Sequence, residues 1–244
     1  MKMKIKTSSG VVDKVIQILD VFAQTDKPLG VTELSTLTKL NISTIYRIAN
    51  VLADHGYLHK EGKKGKYTIG LKFLKFNGIL MNRLNVRDLA YPFMEKLRTV
   101  TGESVNLAIL DGNEAVYIEH IESNRLLRTF TVIGNRVPLY CTGVGKVFCA
   151  YMDEETVYQL MKKPFSSFTE NTITDFTTLE KELAKVRIEG VALDNGEMDI
   201  DVRCIAAPIM DSTGKVIAPH AQLFTHIPHL VQLSSLRILL PSTT

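Results

Sequence analysis

Residues 32–55, with the sequence TELSTLTKLNISTIYRIANVLADH, constrain the fold of this chain more than any other stretch. Two leucines at its start are spaced as on one face of a helix. Asn41 then supplies a residue that tolerates a left-handed turn, and Ser43 or Thr44 is expected to cap the helix that follows. The pattern therefore predicts two short helices joined by a tight turn.

The second of these helices has two unlike faces. Its apolar face carries Ile45, Ile48, Ala49 and Leu52. Its open face carries hydroxyl, guanidinium and amide groups with a tyrosine at the flank, which suit base edges and phosphates. These residues are Ser43, Thr44, Tyr46, Arg47 and Asn50. The pattern is typical of a DNA-reading helix, and a solvated amphipathic helix in a bundle is the alternative.

The flanking segments favour a DNA-binding domain. Residues 11–22 predict a helix whose apolar stripe is Val12, Val15, Ile16, Leu19 and Phe22. Two short strands at 57–59 and 67–69 enclose a turn rich in Gly and Lys, which predicts a hairpin placed as a wing beside the reading helix. Lys63, Lys64 and Lys66, named the wing lysines, are expected to contact phosphate rather than bases.

The charge of the chain is divided between its two parts. Residues 1–84 hold 14 Lys and Arg against 6 Asp and Glu, whereas residues 85–244 hold 15 against 20. A basic N-terminal part joined to an acidic remainder indicates a polyanion-binding module carried by another domain. No apolar run approaches the ~18 residues of a membrane-spanning helix. We therefore expect a cytoplasmic protein, without a membrane partner, whose three cysteines are reduced.

Residues 71–84 predict a further helix, which is too apolar for a free linker. We expect it to join two domains and to pack against a second protomer; packing onto its own domain is the alternative. From residue 85 the pattern is mixed α and β. It predicts helices at 86–101, 142–152 and 175–189, and strands at 104–110, 115–121, 126–132, 191–193 and 202–210.

Three stretches carry a resemblance to a known family. They are ISTIYRIANVLADHGYL at the reading helix, VPLYCTGVGKVFCAYM from Val137, and GVALDNGEMDIDVRCIAAPIMD from Gly190. Through them the chain resembles the IclR-type bacterial transcriptional regulators over residues 10–218. The resemblance implies a mixed α/β (α+β) protein with a winged helix-turn-helix (1–70), a linker helix (71–84) and a GAF-like effector-binding domain (85–218). It also implies homodimers or homotetramers on palindromic double-stranded operator DNA.

The resemblance also implies where a small molecule binds. In family members that bind small organic acids, backbone N–H groups at a helix start after a Thr-Gly pair hold the carboxylate. A helix N-terminus suits an anion, because its N–H groups are unpaired and its dipole is favourable. The implied effector-site residues are Val137, Gly143, Val144, Asp194, Val202 and Cys204. The alternatives are a turn residue for the aspartate and a strand core residue for the cysteine.

Residues 219–244 depart from the family. Only Arg237 is formally charged among them, and Ala221 and Leu223 stand where the family has two pocket serines. We interpret this tail as frame-altered or rearranged, so that the last strand and helix of the effector domain are missing or replaced. His226 and His229 suggest a metal pair, but no further ligands are evident and no metal site is expected.

The sequence thus predicts a DNA-binding repressor of a catabolic operon, controlled by a small organic acid, with no cofactor and no catalytic site. An α/β enzyme with a basic appendage is the alternative. TGVGK at 142–146 holds only part of a phosphate loop. Cys141 or Cys204 with His120 would be a nucleophile and base, but no spacing supports that pairing.

Overall fold

The computed structural model describes residues 10–62, 65–83, 85–123, 131–160, 165–210, 216–224 and 238–239. The chain divides into two compact units, Met1–Arg83 and Leu84–Thr244. Each unit has its own hydrophobic core.

Helices and one hairpin make up the described part of the N-terminal unit. The elements are α1 (Val11–Phe22), α2 (Val31–Thr38), α3 (Ile42–Asp54), β1 (Leu58–Glu61), β2 (Lys66–Ile69) and α4 (Lys72–Arg83). The strands pair antiparallel with Leu58 opposite Ile69. Their core joins one face each of α1, α2 and α3 to the hairpin, and its buried residues are Ile18, Phe22, Leu34, Ile45, Ile48, Ala49, Leu52, Leu58 and Tyr67.

The apolar stripe of α1 differs from the predicted one. Ile18 is fully buried, whereas Val12 and Ile16 are 71% and 50% exposed. The packed stripe contains Val15, Ile18, Leu19 and Phe22, which follow the i, i+3, i+4, i+7 spacing of one helix face. The prediction was therefore wrong for Val12 and Ile16.

The turn between α2 and α3 is built on a residue other than the predicted one. Lys39 adopts the left-handed conformation, with φ at 62°. Asn41 instead has an extended backbone and is the N-cap position of α3, where no side chain caps the helix. Ser43 and Thr44 lie inside α3, so the prediction that one of them caps it was wrong. The preceding helix does have a side-chain cap, since the amide of Gly30 donates to Glu33 Oε2 at 2.7 Å.

The C-terminal unit is a twisted sheet with helices on both faces. The described elements are α5 (Asn85–Thr101), β3 (Ser104–Asp111), β4 (Glu114–Ile121), β5 (Arg136–Pro138), α6 (Gly143–Ala150), α7 (Glu154–Leu160), α8 (Phe176–Glu189), β6 (Ala192–Asn195), β7 (Arg203–Met210), β8 (Val216–Phe224) and β9 (Ile238–Leu239). The strand order is β5-β4-β3-β8-β7-β6, and β9 pairs parallel with β7.

Each face of the sheet has a separate core. On one face α5 packs through Ala90, Met94 and Leu97 against residues of β3, β4, β7 and β8. On the other face α6 and α8 pack against the sheet in a larger cluster that includes Val144, Val147 and Leu183. The face of the sheet that α6 and α8 cover is called the pocket face.

Two strands differ from the sequence-based expectation. Residues 136–138, which lie outside the predicted strands, form a short edge strand beside β4, where a proline is tolerated because an edge strand need not donate on both sides. The strand predicted at 126–132 falls mostly outside the described residues. Residues 219–224, assigned to the atypical tail, continue β8 between β3 and β7, so the expected last strand is not missing.

Candidate DNA interface and effector pocket

The open face of α3 is available to a partner. Ser43, Tyr46 and Arg47 are exposed and Thr44 is partly exposed. The opposite face holds the helix in place, because Ile45, Ile48, Ala49 and Leu52 are buried in the core. Hydroxyl, phenol and guanidinium groups thus project from a rigidly supported helix, as base reading requires.

Asn50 already has partners within the N-terminal unit. Its Oδ1 accepts hydrogen bonds from the Tyr67 hydroxyl at 2.9 Å and from Lys60 Nζ at 3.2 Å. Lys60 Nζ also lies 5.6 Å from the ring centroids of both Tyr46 and Tyr67. These contacts tie α3 to the two strands of the hairpin, so Asn50 fixes the hairpin against α3.

The wing lysines are only partly described. Lys63 and Lys64 lie outside the described residues, between Gly62 and Gly65, which both have positive φ. Lys66 Nζ lies 3.8 Å from Glu33 Oε2, and both side chains are about half exposed. A surface ion pair of this kind contributes little to stability, so a phosphate can displace the carboxylate.

The start of α6 lies directly on the pocket face of the sheet. A Cβ at Gly143 would lie 3.2 Å from Cys204 Sγ and 3.3 Å from the Cβ of Ala206, and a Cβ at Gly145 would overlap the backbone of Leu139. Close packing therefore excludes a Cβ at Gly145 and leaves little room for one at Gly143. The Thr142 hydroxyl caps the helix by accepting from the Gly145 amide at 3.2 Å.

Asp194 and Cys204 are brought together at this helix start. They are directly opposite in the register of β6 and β7, and both are buried. Asp194 Oδ1 accepts a hydrogen bond from the Glu197 amide at 2.9 Å. Burial raises the pKa of the Asp194 carboxyl, although that hydrogen bond and the nearby Lys146 cation act in the opposite direction.

Lys146 is a buried cation beneath the candidate effector site. Its side chain is 1% exposed, and Nζ lies 2.5 Å from Glu197 Oε1 and 4.0 Å from Glu182 Oε1. It also donates to the Leu193 carbonyl oxygen. Burial raises the pKa of the Glu197 carboxyl, and Lys146 opposes the rise. In the sequence this lysine was considered only as part of an incomplete phosphate-loop motif. Its buried partner, Glu197, was missed because it follows 51 residues later.

The predicted lining residues are in the same core. Val137 and Val144 are buried within it, and Val202 packs against it from a partly buried position. Tyr117 was missed by sequence reasoning, because alternation along β4 was its only signal. Tyr117 lies in the same buried cluster as Cys204, and burial is the main cause that raises the pKa of its hydroxyl.

The buried thiols do not suit a nucleophile. Burial raises the pKa of Cys141 to about 12 and that of Cys204 well above its ordinary value. The thiolate, the reactive form, is therefore suppressed near neutral pH. Among the described residues, no group of three or more His, Cys, Asp or Glu is placed to hold a metal ion. His226 and His229 lie outside the described residues.

Comparison with known proteins decides the family. The model for the C-terminal domain of the bacterial transcriptional regulator IclR matches residues 79–219, and that for the IclR helix-turn-helix domain matches residues 11–62. The chain belongs to the IclR family of bacterial transcriptional regulators. The predicted fold class is thereby confirmed. None of the described helices is long and apolar enough to cross a membrane.

Individual relatives agree with this membership. The chain is 34% identical to the transcriptional regulator XynR of Escherichia coli K12, over 85% of this chain and 82% of the relative. It is 31% identical to the transcriptional repressor AllR of the same strain, over 84% and 76%. An IclR homolog of Microbacterium hydrocarbonoxydans, complexed with 4-hydroxybenzoate, has a TM-score of 0.80 at 23% identity and covers 92% of each chain. That structure supports the fold alone.

Proposed function

We propose that this IclR-family regulator is a cytoplasmic repressor of a catabolic operon that reads operator DNA with α3 and releases it when a small organic anion binds the C-terminal domain. The observation that carries the proposal is the division of α3 into a buried apolar face and an open face with Ser43, Tyr46 and Arg47. The divisions proposed are 1–70 for the DNA-binding domain, 71–84 for the linker helix, 85–218 for the effector domain and 219–244 for the tail.

DNA contacts are assigned to the open face of α3 and to the wing. Arg47 has the reach for a bidentate contact to guanine, with Ser43, Thr44 and Tyr46 as further contacts to bases or phosphate. Asn50 contributes mainly through the wing, because its amide oxygen is used within the unit. The wing lysines supply phosphate contacts, which strengthen binding to every sequence alike.

The effector-binding site is assigned to the start of α6. Backbone N–H groups of Gly143 and Val144 are the anion donors, with Asp194, Cys204, Val137 and Val202 around them. Asp194 is the difficulty for an anionic ligand, because two carboxylates repel each other. Its raised pKa and the Lys146 cation nearby both reduce that repulsion. Asp194 is also free to accept a hydrogen bond from a ligand hydroxyl.

The contact between protomers is assigned to α4. Leu74, Phe76, Ile79 and Leu80 are 49–64% exposed on this helix. Its first turns pack on their own unit, since the ring centroids of Phe73 and Tyr57 are 5.6 Å apart. The exposed remainder is an apolar surface suited to a second copy of this chain. We therefore propose a homodimer or homotetramer, in keeping with a palindromic operator.

The test is reciprocal coupling between the two ligands. An operator is obtained by binding-site selection, and its affinity is measured with and without small carboxylates, beginning with 4-hydroxybenzoate. A ligand that lowers operator affinity tenfold, ~1.4 kcal/mol, must itself bind tenfold more weakly when operator is present. Asp194→Asn should change the ligand affinity, while Asp201→Asn, which alters an exposed carboxylate in the loop that follows β6, should not. Equal ligand affinity with and without operator would contradict regulation through this pocket.

A further inference from the structure

Within the described part of the chain, the side-chain amide of Asn106 is a buried donor that lacks an acceptor. It lies in β3 with no exposed surface, and its Nδ2 has no hydrogen-bond partner in the described part of the chain. Its Oδ1 lies 2.6 Å from Nδ1 of His120 on β4. A His120 protonated at Nδ1 donates to that oxygen, which directs the amide nitrogen away from the imidazole. An unpaired buried donor costs stability, and a ligand acceptor would recover that cost.

Strand register places Asn106 on the pocket face of the sheet. It pairs with Ala221 of β8, which in turn pairs with Ala206 of β7. Directly opposite residues share a face, and Ala206 belongs to the core beneath α6. The two neighbours of Asn106 along β3, Val105 and Leu107, belong to the core beneath α5 on the other face.

A bulge in β4 brings His120 to the same face. Glu119 pairs with Leu107 and the next register pair skips Ile118, so two consecutive residues of β4 face α5. Ile118 packs in the α5 core, and Glu119 Oε2 lies 2.6 Å from a guanidinium nitrogen of Arg87. His120 then returns to the pocket face, opposite Asn106.

Strand register gives the separation between the start of α6 and Asn106. Gly143 lies against Ala206, and Ala221 is the residue between Ala206 and Asn106 in the register. Two strand spacings, about 10 Å, separate Ala206 from Asn106. A small anion held at the start of α6 would therefore have to extend across the width of β8 to reach the Asn106 amide.

We propose that Asn106, oriented by His120, determines effector specificity by donating a hydrogen bond to an oxygen at the far end of the ligand. The inference rests on the effector pocket proposed above. The class of effector is then a carboxylic acid with a ketone or hydroxyl oxygen about four or five bonds from its carboxylate, as the two strand spacings require. An acid of the same length without that oxygen leaves the amide unpaired and binds more weakly.

Calorimetry with hexanoate and 5-oxohexanoate tests this assignment, because the two acids differ only in the ketone. We expect the full chain to bind 5-oxohexanoate about tenfold more tightly than hexanoate. Asn106→Leu and Asn106→Asp, which both remove the donor, should bind the two acids within twofold of each other. Asn113→Leu, on the exposed turn of the same hairpin, should keep the tenfold preference.

Three results would overturn the inference. If the wild type binds both acids equally, or if Asn106→Asp keeps the preference for the ketone, the pocket stands and Asn106 is not its specificity determinant. If the wild type binds neither acid, the pocket and this inference fall together. The ratio of the two affinities separates the two roles: a purely structural asparagine would lower the unfolding temperature of Asn106→Leu, because His120 Nδ1 loses its acceptor, without changing the preference for the ketone.

Discussion

Replacing Lys146 with methionine should strongly destabilise the C-terminal unit. The side chain is 1% exposed and Glu197, its partner at 2.5 Å, is 7% exposed. Lys146→Met keeps most of the side-chain volume but leaves the Glu197 carboxylate buried and uncompensated. Removing one partner of a buried ion pair costs about 3–5 kcal/mol. That is a large share of the about 5–15 kcal/mol by which a typical protein is stable. The loop after β6 should loosen as well, because its Glu197 amide donates the hydrogen bond that Asp194 accepts.

The assay is urea unfolding of the full chain followed by circular dichroism, since the chain has no tryptophan for fluorescence. Hydrogen exchange over α6 and β6 then assigns the loss to the C-terminal unit. Lys185→Met is the matched control: this lysine is 66% exposed and pairs with Glu182 on the surface, so the variant should stay within about 0.5 kcal/mol of wild type. Lys146→Met/Glu197→Gln should recover part of the loss, because no uncompensated charge remains. A loss from Lys146→Met no larger than that from Lys185→Met would refute this account of the buried pair.

Three further perturbations follow from the same structure. The affinity for a small carboxylate should fall as the pH rises through the raised pKa of Asp194, because that carboxyl is neutral below it and repels an anion above it; calorimetry across pH should show this dependence flattened in Asp194→Asn. Gly145→Ala should unfold the C-terminal unit at a lower temperature, because its Cβ would overlap the Leu139 backbone, and an unchanged midpoint would show that the backbone yields. Alanine at all three wing lysines should weaken binding to all DNA sequences alike and reduce the salt slope by about 1 for each phosphate that is no longer neutralised, so an unchanged slope would leave the wing in solvent.

Local features of the sequence predicted much of the N-terminal unit. The bounds of α1 and the buried face of α3 followed from periodicity, because both helices bury one stripe against neighbours close in sequence. The turn was less predictable. Asparagine is favoured in left-handed turns, yet Lys39 adopts that conformation. Asn41 is the N-cap residue of α3, a position at which asparagine is also common.

Features that depend on distant pairing were not predicted from local pattern. Lys146 and Glu197 meet only because β6 and its loop fold beneath α6. The orphan amide of Asn106 depends on a bulge in the neighbouring strand. The composition of residues 219–224 led us to assign them to an atypical tail. Their backbone nevertheless completes the centre of the sheet, because strand pairing uses main-chain N–H and C=O groups.

Binding-site selection with the wild type and with Arg47→Ala tests the central claim most directly. If α3 reads the operator, the wild type should select a palindromic motif, and the variant should lose the base preference at one position of each half-site. Its affinity for the wild-type motif should fall by about 1–3 kcal/mol for a bidentate contact to guanine. Lys27→Ala, which removes an exposed charge elsewhere in the same unit, should select the wild-type motif. Identical motifs from the wild type and Arg47→Ala would show that Arg47 reads no base and would contradict the assignment of α3.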